Sequence, residues 1–312
     1  MVVMHAVFRR LLSVLIASAV FAPGQTLIVG TYNVRYDNPG DAERGNGWAQ
    51  RAPVIGELIK FHQFDVLGTQ EALHHQVVDL QERLPEFAHV GMGRDDGEKK
   101  GEFTAIFYKK DKFRLLDSGT FWLSPTPDKV GVIGWDAALP RICTWVKLRE
   151  SAGKERAFWM FNVPFDHRGV QARLESSRLV LAKIDELAAG EPVIFTGDFN
   201  VTQTSESYNE IAGSESFSDA YEGAPIRYAQ NGTFSNFDPN AKTDSRIDHV
   251  FLTPHFKPLR YGVLLDTYRA RPPGGDAATP TGNAPEEVKL QEYQSRLPSD
   301  HFPVLVEVEL AP

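Results

Sequence analysis

The octapeptide Val193-Ile194-Phe195-Thr196-Gly197-Asp198-Phe199-Asn200 carries the densest chemical signal in the chain. Its apolar, β-branched start reads as a buried strand, and it empties into a glycine, an aspartate and an asparagine. On extended backbone, residues two apart share a side. Asp198 and Asn200 are therefore expected to face one pocket while Phe199 turns back into the protein. A carboxylate beside an amide suits a hydrated divalent cation or a polarised phosphate. The same letters also fit a strand that closes in an Asx turn and binds nothing. The octapeptide alone does not separate these readings.

Similar cargo sits at other strand ends. Asn33 follows a first strand, Glu71 follows a second, and Ser299-Asp300-His301 precedes the last. Asp248 lies inside Arg246-Ile247-Asp248-His249-Val250. One polar strand end is routine. Several along one apolar scaffold point to a site, because active sites collect at the ends of sheet strands.

The elements that must position these residues begin as an α/β order. A strand over Thr26–Tyr32 is followed by a loop at Asp37-Asn38-Pro39-Gly40, a helix over Trp48–Phe61, a short strand over Phe64–Gly68 and a helix over Leu73–Leu84. Four strand-like segments follow, at Phe103–Lys109, Phe113–Trp122, Arg141–Arg149 and Ala157–Val163. Arg173–Ala189 has helical periodicity and leads into the central strand. Beyond it come a weakly patterned stretch from Thr202 to Tyr228, strands at Arg246–Thr253, Leu259–Asp266 and Phe302–Leu310, and a Pro/Gly/Ala/Thr-rich stretch at Arg271–Pro285 that reads as a mobile surface loop.

The bulk numbers bound the function. The 312 residues are 42% hydrophobic and 24% charged with a net charge of -8, an ordinary globular composition. That acidity disfavours a general grip on nucleic acid, whose phosphates are held by Lys and Arg. The single cysteine, Cys143, excludes an intrachain disulfide and a Cys-based zinc site, and its strand-like setting marks it as a small buried hydrophobe. Arg9 and Arg10 precede an apolar run from Leu11 to Ala22 containing small residues. Residues 1–22 therefore read as a secretory signal peptide, cleaved between Ala19 and Gln25, with residues 23–312 as one exported domain, secreted or periplasmic. Removing Arg9 and Arg10 would take the net charge from -8 to -10.

Taken together, Thr31-Tyr32-Asn33-Val34-Arg35, Thr69-Gln70-Glu71, Gly101-Glu102-Phe103, Gly197-Asp198-Phe199-Asn200, Arg246-Ile247-Asp248-His249 and Ser299-Asp300-His301-Phe302-Pro303 resemble, in order, the motifs of the endonuclease/exonuclease/phosphatase superfamily with its DNase I-like fold. The resemblance covers nearly all of the chain after the leader. It implies an α/β fold, a four-layer α/β/β/α sandwich of two packed mixed β-sheets, and metal-dependent cleavage of phosphate esters.

It also implies roles. Glu71, with Asn33 and Asp300, offers hard oxygen ligands, which favour Mg²⁺ or Mn²⁺ over zinc. His301 handles a proton or holds the phosphate, and Asp248 orients its ring. Asp198 aligns or deprotonates the attacking water, and Asn200 holds that water or donates to the phosphate. Whether Asp198 or His301 is the base stays open. Arg141 is a candidate phosphate contact, its planar fork suiting an anion; a surface salt bridge fits it equally well. Trp122, Trp135 and Trp145 are groove candidates, with core packing the better reading for at least two.

One departure stands out. Relatives carry a histidine where this chain reads Asn162-Val163-Pro164-Phe165-Asp166-His167, and proline neither transfers a proton nor donates a hydrogen bond. Glu102 is retained without the histidine it would partner. Another acid, His167 moving in, or a weakened scaffold that only binds a phosphate ligand would each accommodate this; the first ranks highest. Substrate is not written in the motifs. Nucleic acid or nucleotide is modestly favoured, with lipid and sugar phosphates as alternatives and a monomer expected. A nuclease should gather a basic strip from Arg35, Arg51, Lys99, Lys100, Lys109, Lys110, Arg141 and Arg168.

Overall fold

In a computed structural model, residues 26–271, 282–285 and 287–311 are described. The leader expected over residues 1–22 and most of the 271–285 stretch lie outside them. The chain runs β1 (Thr26–Asn33), α1 (Pro39–Glu43), α2 (Trp48–Phe61), β2 (Val66–Ala72), α3 (His74–Arg83), β3 (Phe87–Val90) and β4 (Phe103–Lys109). It continues β5 (Phe113–Trp122), β6 (Ile142–Glu150), β7 (Ala157–Pro164), α4 (Val170–Ala188) and β8 (Val193–Asp198). Then come α5 (Glu206–Ala212), β9 (Ser218–Asp219), α6 (Ala220–Gly223), β10 (Ile226–Tyr228), β11 (Asp248–Leu252), β12 (Phe256–Val263), β13 (Tyr268–Ala270), β14 (Gln294–Arg296) and β15 (Val304–Leu310).

While β13 and β14 pair as a separate antiparallel ribbon, the other thirteen strands form two mixed sheets, one ordered β10-β12-β15-β1-β2-β4-β3 and the other β5-β6-β7-β8-β11-β9. Both have parallel pairs at their centres, β1 with β2 and β7 with β8. Three apolar slabs glue four layers. Leu27, Val29, Ile106, Met160, Ile194 and Val250 fill the space between the sheets. Ala52, Ile55, Val77 and Leu80 pack on Tyr32, Leu67 and Phe107 outside the first sheet. Val180, Ile184 and Ile211 cover Trp159, Phe195 and Phe251 outside the second. The α/β/β/α sandwich expected from the motifs is the observed architecture.

The period of two in each strand carries these slabs to the site. Leu27, Val29, Thr31 and Asn33 form the inner row of β1; Ile194, Thr196 and Asp198 that of β8; Leu252, Val250 and Asp248 that of β11. Each row is apolar at depth and polar at the same end of the sandwich, so the site is the polar edge of the central slab.

Several boundaries differ from the sequence reading. β2 runs from Val66 to Ala72 rather than ending at Gly68, because its polar residues are satisfied within the fold: Gln70 Nε2 donates to Thr31 Oγ1 (2.9 Å) and Asn162 Oδ1 (2.6 Å). Gly68 makes that contact possible; a Cβ there would sit 2.5 Å from Asn162 Oδ1. The loop at Asp37–Gly40 becomes the start of α1, capped by Asn38 Oδ1 accepting from Asp41 N. The weakly patterned 202–228 stretch holds α5, β9, α6 and β10. Trp122 and Trp145 are buried, as core packing anticipated.

Candidate active site

Asn33 is the hub of the site. Its Nδ2 donates to Glu71 Oε1 and to Asp198 Oδ2, both at 3.0 Å, and its Oδ1 accepts from Arg35 N at 3.0 Å. Two of these groups come from the first sheet and Asp198 from the second. Glu71 reaches the hub because the β2–β4 register breaks between Thr69 and Ala72 and its own φ is 66°. Arg35, Asn200 and Asn236 are also left-handed, at 58°, 51° and 52°. All four line the site, in keeping with the tendency of backbone strain to gather where function needs it.

Asp198 Oδ1 accepts from Asn200 N (3.0 Å) and its Oδ2 from Asn200 Nδ2 (3.3 Å). The Asx turn and the paired pocket residues are thus one arrangement: the turn bends Asn200 back beside the carboxylate it flanks. Left-handed backbone at Asn200, rather than simple strand alternation, brings it there. Phe199 is fully buried against Phe165 and Phe195, with ring centroids 5.0 Å away in each case.

His301 Nδ1 lies 2.9 Å from Asp248 Oδ2, and its Nε2 lies 3.9 Å from Asp198 Oδ2. Burial opposes charging the imidazole, but Asp248 and Asp198 outweigh it and raise the His301 pKa well above its ordinary value. Asp198 is pushed up to about 7, by burial first and then by Asp248 and Glu71, with His301 pulling the other way. A carboxylate poised there can take a proton near neutral pH.

Glu71 differs. Burial works against its charge, yet His301, the Asn33 amide and Arg35 hold its pKa below the usual range. Its Oε2 is buried with no hydrogen-bond partner. An ionised, orphaned carboxylate oxygen beside Asp300 and Asn33 fits a hard divalent cation. Asp198, Asp248 and His301 also offer ligand atoms within 4.8 Å of one another. That trio is the poorer cage, since Asp248 and His301 already bond to each other and a protonated imidazole has no lone pair to give.

The opposite wall is cationic. Arg94 grips Glu102 with both ends of its fork, Nη1–Oε2 2.5 Å and Nη2–Oε1 3.0 Å. Glu102 therefore has a partner after all, an arginine rather than an imidazole. Burial and Glu71 push Glu102 up to about 7 against the pull of Arg94. Arg141 Nε donates to Asp166 Oδ2 (3.3 Å) and its Nη2 to His167 Nδ1 (3.0 Å). Arg141 lines the pocket and pairs with Asp166, and that ion pair is buried rather than the surface salt bridge of the alternative reading. Accepting at Nδ1 fixes the hydrogen of His167 on Nε2. Burial and the Arg141 cation lower its pKa. His167 lines the pocket beside Arg141.

These groups surround a cavity of about 570 Å³ whose lining includes Arg35, Glu71, Glu102, Asp198, Asn200 and His301. A second cavity of about 510 Å³, around His62, Tyr228 and Leu264, lies away from this cluster. Asn162 does not reach the pocket. It is a buried peg between the sheets, donating from Nδ2 to the Thr69 and Ala105 carbonyls at 3.0 Å. Pro164 continues the same inner row and pairs in register with Asp198. Arg94, Tyr36, Phe234 and Asn236 line the pocket without having been singled out in the sequence. Arg94 lies in Gly91-Met92-Gly93-Arg94-Asp95, a turn with no motif to mark it.

Of the basic-strip candidates, Arg35 and Arg141 line the pocket, while Arg51, Lys109 and Lys110 lie away from it. Arg51 is buried and donates to backbone carbonyls, among them Val34 (2.7 Å) and Pro298 (3.0 Å). Glu102 precedes the start of β4, so Lys109 and Lys110 at its other end lie roughly 20 Å away at about 3.3 Å per residue.

A fold of two packed sheets with carboxylates and one imidazole at their shared edge defines a phosphoesterase class. The model of the Endonuclease/Exonuclease/phosphatase family matches residues 30–301, and the chain belongs to that family. It is similar to two solved structures from Bacteroides thetaiotaomicron. One is an endonuclease/exonuclease/phosphatase family protein, 47% identical, with 91% of this chain and 98% of that one covered and a TM-score of 0.84. The other is a mannosyl-6-phosphatase, 48% identical, with 90% and 99% covered and a TM-score of 0.83. The catalytic domain of human nocturnin, at 17% identity, 92% and 94% coverage and a TM-score of 0.64, shares the fold. Two uncharacterised mimivirus proteins are 26% identical; the match spans 28% of the length of one and 87% of the other.

Proposed function

We propose that this protein is an exported, divalent-cation-dependent phosphatase that releases phosphate from a small phosphate ester, with a sugar phosphate as the preferred class. The observation that carries this reading is the single cavity lined by Glu71, Asp198 and His301 together with Arg35, Arg94 and Arg141. Three guanidinium groups in one pocket suit a compact dianion. The scattered lysines and the net charge of -8 argue against a duplex track, so the sugar-phosphate class replaces the modest leaning towards nucleic acid. The resemblance to a mannosyl-6-phosphatase at 48% identity supports the same choice.

Glu71, Asp300 and Asn33 would hold Mg²⁺ or Mn²⁺, which when bound neutralises charge on the phosphate oxygens. Asp198, fixed by Asn33 and Asn200, takes the proton of a water attacking phosphorus. The His301 imidazolium, held by Asp248, and Arg141, held by Asp166, stabilise the negative charge that gathers around phosphorus. The wall facing them offers the leaving oxygen hydrogen bonds from the Arg94 cation and the His167 Nε2–H; as the P–O bond breaks the departing oxygen takes its proton from solvent water, and Asp198 returns to solvent the proton it accepted. The intact Asp198–His301–Asp248 arrangement is the reason to prefer an enzyme over a binding scaffold despite Pro164.

The test is a substrate panel with the purified protein and Mg²⁺ or Mn²⁺: mannose 6-phosphate, bis-p-nitrophenyl phosphate, single- and double-stranded oligonucleotides and phospholipid vesicles. Phosphate release from the sugar ester, abolished by EDTA and by Asp198→Ala, is expected. Cleavage of oligonucleotides with the sugar ester untouched would overturn the substrate assignment, and no metal-dependent turnover of any ester would favour the binding-scaffold alternative.

A further inference from the structure

We propose that Arg35 is a built-in counter-ion: it occupies the cation-binding carboxylates of the resting site and is released to the substrate phosphate when a divalent cation displaces it. This rests on the metal-dependent reading above. Arg35 Nη1 stands 3.5 Å from Asp300 Oδ2 and 3.9 Å from Glu71 Oε2. Glu71 Oε2 is the same buried oxygen that has no hydrogen-bond partner. At these distances the guanidinium lies in the field of both carboxylates without a close bond to either. That is the arrangement of a placeholder rather than of a finished salt bridge.

The rest of the residue is anchored. The Arg35 carbonyl accepts from Arg51 Nη2 (3.1 Å) and Gln76 Nε2 (3.0 Å), and Arg35 N donates to Asn33 Oδ1 (3.0 Å). These bonds hold a non-glycine residue at φ 58°. Arg35 Nε donates to Asp41 Oδ2 at 2.9 Å, and Cζ lies 4.7 Å from the centre of the Tyr36 ring. Asp41 is therefore a pivot: the Nη1 end can swing away from Glu71 and Asp300 while the Nε bond persists. The side chain is 26% exposed and lines the cavity, so the swing is into the space a phosphate would fill.

Electrostatics makes the exchange obligatory. A divalent cation and a guanidinium cannot share two carboxylates at 3.5–3.9 Å without strong repulsion. A guanidinium keeps its charge in proteins, so the group does not yield by losing its proton. It must move. Its planar fork then meets an anion suited to two parallel hydrogen bonds.

The experiment is titration calorimetry of Mn²⁺ into the metal-free full chain, with inorganic phosphate titrated afterwards into the Mn²⁺-loaded protein. Arg35→Gln is expected to bind Mn²⁺ about tenfold more tightly than the unaltered protein and phosphate about tenfold more weakly. Arg44→Gln also removes an arginine from Asp41 but touches neither ligand carboxylate, and it should bind Mn²⁺ within about twofold of the unaltered protein. Arg35→Lys keeps the charge with a shorter reach and should fall between the two, covering the case in which the glutamine variant melts early. Equal or weaker Mn²⁺ binding by the folded Arg35 variants sinks the proposal while leaving the metal reading intact. Absence of Mn²⁺ binding in every protein sinks both.

Discussion

Asp166→Asn tests how the fold holds Arg141. The Asp166 carboxylate is almost fully buried and accepts from Arg141 Nε (3.3 Å), Arg168 N (2.9 Å) and Gly169 N (2.8 Å). Burial alone would raise its pKa, but the Gly169 and Arg168 amides and the Arg141 cation lower it from 3.8 to about 2. A depressed carboxyl pKa contributes stability above the unfolded pKa and loses it as pH falls through the folded one. Near neutrality the contribution is about 2 kcal/mol, and at pH 3 it has dropped to roughly half of that. Urea denaturation of both proteins at pH 7, 5, 4 and 3 should show a constant gap at the first two values that narrows by about 1 kcal/mol at the last. Arg141 also loses its fixed orientation, so kcat/KM at pH 7 should fall about 10- to 100-fold, the worth of a charged hydrogen bond. A gap at pH 7 below about 0.5 kcal/mol, or one that is unchanged at pH 3, refutes the reasoning.

Three further outcomes can be checked. Asp248→Asn should lower the His301 pKa and reduce turnover about 10²- to 10⁴-fold; because the His301 pKa is raised in the fold, its contribution is fully present below the unfolded value and fades at alkaline pH, so the stability gap to the unaltered protein should shrink as pH rises, read from melting curves and imidazole NMR. Phe199→Ala empties a fully buried ring position and should cost about 3–5 kcal/mol in chemical denaturation, with a near-normal value counting against its place in the core. Arg51→Met strips donors from the carbonyls of Val34, Arg35, Asn46 and Pro298, which should cost about 3 kcal/mol or more and depress activity although Arg51 lies outside the pocket; unchanged kinetics in the folded variant would show that this scaffold does not position Arg35.

The sequence made several strands and the central motifs legible because their signals are local. Phe103–Lys109 is largely apolar and Phe113–Trp122 is bracketed by aromatic residues, and both appear as strands at those bounds. Trp48–Phe61 does the same as a helix. What stayed hidden depends on partners far away in the chain. Nothing local says that Thr69-Gln70 continues a strand, because their polarity is matched only by Thr31, Ala105 and Asn162. Nothing local pairs Arg94 with Glu102 across a glycine-rich turn, or assigns Asn162 to an inter-sheet peg rather than to the pocket. Motif letters located the acids and the imidazole. Arg35 and Arg141 were also in view, but Arg94 carries no motif and came into view only through geometry.

The hydrogen bonds from Asn33 to Asp198 and from His301 to Asp248 each join groups delivered by opposite sheets, so the chemistry is assembled across the seam of the molecule. The apolar slab beneath acts as a spacer whose thickness sets the gap between the two jaws. Thinning or swelling it, even far from the pocket, should misalign the proton-handling groups by tenths of an ångström before any strand comes apart. Heat inactivation would then run ahead of melting, and thermal tolerance of the working enzyme would be governed by how tightly its middle is filled.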